Sequence, residues 1–131
     1  MEEMKKFLSS IYLGDRFCEN ITVESHKISF QINLISRLKR GSKEWNYYSE
    51  EDIEHGHLVF DEVIDYTPIS IPFFNDEIYA IEVTEKVQEI YTFIIKGCYV
   101  SDTGISTDQE LQIRAKDCYI YNPQNNRIIT K

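Results

Sequence analysis

From Ile28 to Leu34 every second position is apolar, with Ser29, Gln31 and Asn33 in between. A period of two is that of a strand with one face buried. Ile21 and Val23 alternate just before it, so residues 24–27 read as the turn of a hairpin. The alternation returns at residues 78–83, where Ile81 and Val83 share a face, and again at Tyr91, Phe93 and Ile95. Tyr99 and Val100 extend the latter strand past Gly97, a position that suits a bulge. Leu111, Ile113 and Ala115 alternate with Gln112, Arg114 and Lys116, after which the phase shifts to Cys118 and Ile120. That shift predicts a bulge near Lys116 and Asp117. Residues 58–64, apolar on both sides through Leu58, Val59 and Phe60, predict a covered strand.

One segment follows the helical period instead. Met4, Phe7, Leu8 and Ile11 make one apolar face, which predicts a helix over residues 4–13, capped by Gly14 and packed on the sheet. Residues 40–43 around Gly41 read as a turn. Ser49-Glu50-Glu51-Asp52 matches a weak capping box, predicting one helical turn through Glu54. Pro68, Pro72 and Asn75-Asp76 bound an irregular loop that carries Ile69, Ile71, Phe73 and Phe74. Asp102-Thr103-Gly104 and Asn122-Pro123 are further turns. About seven strands joined by turns, with one short N-terminal helix, predict a mainly β (α+β) fold. The sheet would be antiparallel, folded as a sandwich or an open barrel.

The chain of 131 residues fits a single domain over 1–131, long enough to hold a core without metal or disulfide. Nine Tyr and seven Phe against five Gly lean further towards strands. Cys18, Cys98 and Cys118 are widely spaced and include no CxxC, which predicts free, half-buried thiols in a reducing cytosol. The start, MEEMKKFLSS, lacks the apolar run of a signal peptide, and no stretch approaches a membrane span. A soluble, cytoplasmic protein is expected.

Charge is sorted along the chain. Residues 44–85 hold twelve Asp and Glu and no Lys or Arg, whereas Arg37, Lys39, Arg40 and Lys43 cluster just before them. A net charge of −8 argues against general nucleic-acid or anionic-membrane binding, and fits a cationic partner or simple solubility.

Candidate chemistry is sparse. His55-Gly56-His57 would place two imidazoles on one side of a strand, where Glu54 or Asp61 could add a carboxylate to a metal site. His26 is the only other histidine, so an exposed turn carrying two histidines is the stronger reading. Carboxylate pairs such as Glu50 with Asp52, or Asp61 with Asp65, are expected by chance among 22 acids. Nucleophile elbows and glycine-rich phosphate loops are absent. The acidic block also contains aromatic residues, a mixture suited to a contact surface for a basic partner. Solvated acids with core-facing aromatics explain the same composition slightly better.

The helix ending at Gly14-Asp15, the Ile28–Leu34 strand, the Leu58-Val59-Phe60-Asp61-Glu62-Val63 segment and the closing strand over residues 111–121 resemble a group of small uncharacterised bacterial proteins of unknown function. That group is similar to immunity proteins of contact-dependent and polymorphic toxin systems. The resemblance rests on hydrophobic patterning with an F-x-x-V signature and implies a β-rich cytoplasmic binder without a cofactor. It transfers no functional residue.

The expected function is therefore binding, not catalysis: an immunity-type inhibitor that covers a basic protein such as a toxin. Trp45, Tyr47, Tyr48, Glu50, Glu51, Asp52, Glu54, Asp61 and Asp65 are the candidate contact residues. No catalytic, cofactor or metal site is assigned, and no nucleic-acid or membrane partner. The protein would be a monomer or a homodimer. A small-ligand binder or enzyme with a site near His55 and His57 is the alternative, and an edge-strand homodimer with no separate ligand is the third.

Overall fold

A computed structural model describes residues 1–37, 52–67 and 74–130. Among them the order is helix α1 (Glu2–Ser10), then strands β1 (Cys18–Val23), β2 (Lys27–Ile35), β3 (Ile53–Tyr66), β4 (Ile78–Val87), β5 (Ile90–Val100), β6 (Ser106–Asn122) and β7 (Arg127–Ile129). All pairings are antiparallel, in the order β1-β2-β3-β6-β5-β4, with β7 on the far part of β6. The sheet curls into a half-barrel, the open-barrel form of the expected fold class.

Curling gives the sheet an inner and an outer face. The inner face carries the alternating residues read from the sequence: Ile28, Phe30 and Ile32 of β2, then Leu58 and Phe60 of β3. Phe93 and Ile95 of β5, with Leu111, Ile113 and Ala115 of β6, complete it. Phe30, Phe60 and Phe93 are each 0% exposed and stack edge-on in series, at 5.7 and 5.0 Å between centroids. Such ring pairs add about 0.5–1.5 kcal/mol each beyond the area they bury. Helix α1 lies alongside β4 and adds Phe7 and Leu8 to this core.

The helix is displaced from the expected 4–13 and ends well before Gly14. Ile11 is already extended (φ −78°, ψ 123°) and bridges Arg37, while the Tyr12 N–H donates to the Ser36 carbonyl at 2.9 Å. Strand-like pairing with the residues after β2 thus takes over where helical periodicity still runs in the sequence.

Strand β3 begins at Ile53, so the expected helical turn through Glu54 and the exposed histidine turn are both corrected. Ile53 pairs with Ile35, Glu54 with Leu34 and Gly56 with Ile32, which draws His55 and His57 into the sheet. The irregularity expected at Gly97 lies on its partner, where Ile78 faces Gly97 and Ala80 faces Lys96, leaving Tyr79 as the extra residue. The phase of burial does shift between Ala115 and Cys118, and β3 shifts with it between Phe60 and Val63. The β3–β6 register itself slips between Val63 and Asp65. The expected turns at Asp102 to Gly104 and after Asn122 are present. The turn at 40–43, the Ser49 capping position and most of the loop with Pro68 and Pro72 lie outside the described residues; Phe74, at its end, is buried against Phe30.

At one end the half-barrel is tied across its opening. Phe17 bridges Glu77, and the Cys18 N–H donates to the Asp76 carbonyl at 2.9 Å, so the starts of the edge strands β1 and β4 meet. Asn75 extends this seam, its side chain bonding both the N–H and the carbonyl of Val100 at 2.8 and 2.9 Å.

Candidate functional site on the outer face

Alternation sends the residues between the core positions outward, and strand register sets them side by side. Gln31, His57, Tyr121 and Ile128 form one row across β2, β3, β6 and β7; Ser29, Val59 and Tyr119 form the next, and Lys27, Asp61 and Asp117 the third. Lys27, Ser29, His57, Val59, Tyr119, Tyr121 and Ile128 of these rows, together with Glu24, line an open depression of about 310 Å³. Its floor is apolar: Val59 is only 5% and Tyr119 9% exposed, although both point away from the core. The His57 and Tyr121 rings meet edge-on at 6.0 Å and 80°. The Tyr121 hydroxyl is held by Asn126 Oδ1 at 2.5 Å, and the Tyr119 hydroxyl donates to Asp61 Oδ2 at 3.4 Å. Burial, then the Asp61 charge, push the Tyr119 phenol above its ordinary range, and Lys27 partly offsets them.

Beside this depression, a bulge between Cys18 and Asn20 turns Glu19 out of the β1 register. Its carboxylate accepts from Gln31 Nε2 at 3.2 Å and meets His55 Nδ1 at 2.7 Å, spanning from β1 over β2 to β3. His55 adopts φ 56°, an unusual backbone for a side chain of its size. The hydrogen bond His55 donates to Glu19 raises the His55 pKa, and the same bond lowers that of Glu19.

The candidate contact residues do not form one cluster. Asp52 and Glu54 stand exposed at the start of β3, Asp61 in its middle, and Asp65 near its end, bound to Arg114 at 2.7 Å. From Glu54 to Asp65 is roughly 36 Å of strand contour. Of the candidates among the described residues, Asp61 comes nearest the depression, through its bond to the Tyr119 hydroxyl. Trp45, Tyr47, Tyr48, Glu50 and Glu51 lie outside the described residues. Glu19, Glu24, Lys27, Tyr119, Tyr121, Asp117 and Ile128 were not anticipated. For Tyr119 and Tyr121 the signal was present, since they flank the inward Ile120.

Among the described residues, no three His, Cys, Asp or Glu side chains come close enough to hold a metal ion. The three cysteines are free, and all are buried rather than half-buried. Among the same residues no helix is long and apolar enough to cross a membrane.

The class defined here is a curled antiparallel half-barrel with an aromatic depression, flanked by Glu24 and Lys27, on its outer face. By sequence, residues 1–130 match the model of a family of unknown function, DUF6258, and the chain belongs to that family. No curated protein and no solved structure matches it.

Proposed function

We propose that this is a cytoplasmic binding protein, acting as an immunity-type inhibitor that covers a basic surface of a partner protein. The observation that carries this reading is the outer depression, where Val59, Tyr119, Tyr121 and His57 make an aromatic and apolar centre lined also by Glu24 and Lys27, with Asp61, Asp117 and Glu19 on the strands around it. Buried aromatics within a polar rim are the usual makings of an interface hot spot, and carboxylates around them favour a cationic partner. The mechanism is occlusion with electrostatic steering, consistent with a net charge of −8.

The enzyme or small-ligand reading draws on the same depression, because it brings His57 and Glu24 to one place. Its openness on a strand face suits a protein surface better than a small molecule, which favours an enclosed cleft. An edge-strand homodimer is disfavoured by the edges themselves. Bulges interrupt β1 at Glu19 and β4 at Tyr79 and Thr84, and Glu82, Glu85 and Lys86 charge the β4 edge.

The test is affinity capture from native lysate at low and moderate salt, with wild type, Tyr121→Ala and a charge reversal of Glu50, Glu51, Asp52 and Glu54. A stoichiometric basic protein, released by salt and lost with Tyr121→Ala, is the expected result. Recovery of the chain alone would sink the reading. Loss with the four-fold reversal alone would move the interface to the start of β3.

A further inference from the structure

A second hollow lies on the outer face, at the turn end of the β4–β5 hairpin. Phe93 and Ile113 are fully buried in the core, so their neighbours Thr92 and Arg114 point outward. Register sets Asp65, Arg114, Thr92 and Glu85 in one row across β3, β6, β5 and β4. Arg114, Thr92 and Glu85, with Val87, Gln88 and Ile90 of the hairpin end, line an open hollow of about 270 Å³. Thr92 is only 8% exposed, yet its hydroxyl makes no hydrogen bond among the described residues; Thr84 Oγ1 bonds its carbonyl instead, at 3.4 Å. A hydroxyl withdrawn from water without a partner costs stability, and a polar group entering the hollow would supply that partner.

The cations nearby are already engaged or turned elsewhere. Arg114 Nη1 donates to Asp65 Oδ2 at 2.7 Å, so this guanidinium has its counter-charge. Lys86 lies over the Tyr91 ring, and Lys116 lines a separate hollow with Glu62. Glu85 is exposed and makes no ion pair among the described residues.

We propose that this hollow seats a lysine side chain of the basic partner, its ammonium shared by the Glu85 carboxylate, the Thr92 hydroxyl and the Gln88 amide oxygen. The inference rests on the partner-binding reading and gives it a second contact. An ammonium has three N–H donors and no acceptor, which suits a ring of oxygens around one unneutralised carboxylate. The methylene stem lies along the exposed Val87 and Ile90, as long cationic side chains do on apolar surface. Among the described residues no aromatic ring lines the hollow for a guanidinium to stack on, so the compact ammonium fits better.

The probe is N-acetyl-lysine-amide, titrated at low salt into the full chain and followed by amide and methyl NMR shifts. The controls are N-acetyl-norleucine-amide, which keeps the stem without the ammonium, and N-acetyl-arginine-amide. Saturable shifts confined to Glu85, Gln88, Ile90 and Thr92 are expected, about tenfold weaker with either control and in Thr92→Val and Glu85→Gln. Thr92→Val keeps the side-chain shape and removes a hydroxyl with no bond to lose, so its denaturant midpoint should match or exceed that of wild type. Glu85 is exposed, so its variant keeps the fold and tests the site independently. Shifts spread over every acidic segment, no saturation, equal affinity for either control, or undiminished binding by both variants would overturn the proposal. The probe reports on this hollow alone. Its failure would leave the partner-binding reading to the capture experiment, whose Tyr121→Ala variant addresses the other depression, and an empty capture would not by itself remove a saturable ammonium site.

Discussion

Asp61 and Asp117 face each other across the β3–β6 ladder, and each carboxylate accepts the backbone N–H of the residue that follows it, Glu62 and Cys118, at 2.8 Å. Both strands change their burial phase at this point, and Glu62 takes φ 51°. The two aspartates are therefore local caps for a paired kink, and the kink leaves two like charges opposed. Burial, followed by Asp61 and Glu62, raises the Asp117 pKa.

A group whose pKa is raised on folding favours the fold below its unfolded pKa and loses that contribution as pH rises through the folded value. Wild type should thus lose some stability as pH climbs out of the carboxylate range. Asp117→Asn keeps an oxygen to accept the Cys118 N–H but removes the charge. It should stabilise the protein at neutral pH by roughly 0.5 kcal/mol, modest because the site is part-exposed, and flatten the acid limb. Urea melts from pH 4 to 7 would check this; a less stable Asp117→Asn at neutral pH would refute the opposed-charge account.

The Glu19–His55 pair also weakens as pH rises, though in the histidine range, and has the opposite dependence at its lower end. Glu19 is lowered and His55 raised by the bond between them. The lowered Glu19 contributes above its ordinary 4.5 and the raised His55 contributes fully below its ordinary 6.5. The link is complete between those values and fades as pH rises through the raised His55 pKa. Glu19→Gln should return the His55 midpoint to its ordinary value and leave the fold intact. Histidine ring NMR titration reads this directly, and an unchanged His55 midpoint would show that Glu19 does not hold it.

The inner face was legible because core alternation is a local signal: Phe30, Phe93 and Ile113 can be assigned to it from their immediate neighbours. The outer site was legible only in pieces. Alternation around Ile120 sends Tyr119 and Tyr121 outward, but nothing local says that β6 lies beside β3 and so brings Tyr121 to His57. The acidic block suggested one patch, whereas an extended strand spreads consecutive acids along its length, leaving Asp52 and Asp65 at opposite ends of β3. Glu19 reaches His55 through a bulge, and Ile11 leaves the helix for a bridge to Arg37; both depend on partners distant in sequence.

The thiols should be inert in the folded protein. Burial pushes Cys18 up to about 12 and Cys118 well above its ordinary range, while Cys98 is 2% exposed with its sulfur 3.5 Å from Asp76 Oδ2. At about pH 8 a disulfide-exchange reagent is attacked only by thiolate, so labelling should wait on unfolding and then report every cysteine. Rapid labelling of any one of them in the native state would contradict the buried placement.

Gly97 should tolerate alanine less well than Gly56. A Cβ at Gly56 would meet Ile53 Cγ2 at 2.8 Å and Ile35 Cδ1 at 2.9 Å, buried side-chain methyls rather than backbone. At Gly97 it would meet the Glu77 carbonyl oxygen at 2.8 Å and the Phe74 ring at 3.0 Å. That carbonyl accepts the Cys98 N–H at 3.0 Å, and Glu77 also bridges Phe17 across the mouth of the half-barrel. Backbone held from two sides cannot give way without loosening the seam. Gly97→Ala should therefore cost on the order of 2–3 kcal/mol and Gly56→Ala about 1 kcal/mol, the range expected for overpacking. Denaturant midpoints measure the difference, and hydrogen exchange at Cys18 and Cys98 should rise in Gly97→Ala alone. Equal costs with an undisturbed seam would mean that the β4 bulge at Tyr79 absorbs the added methyl.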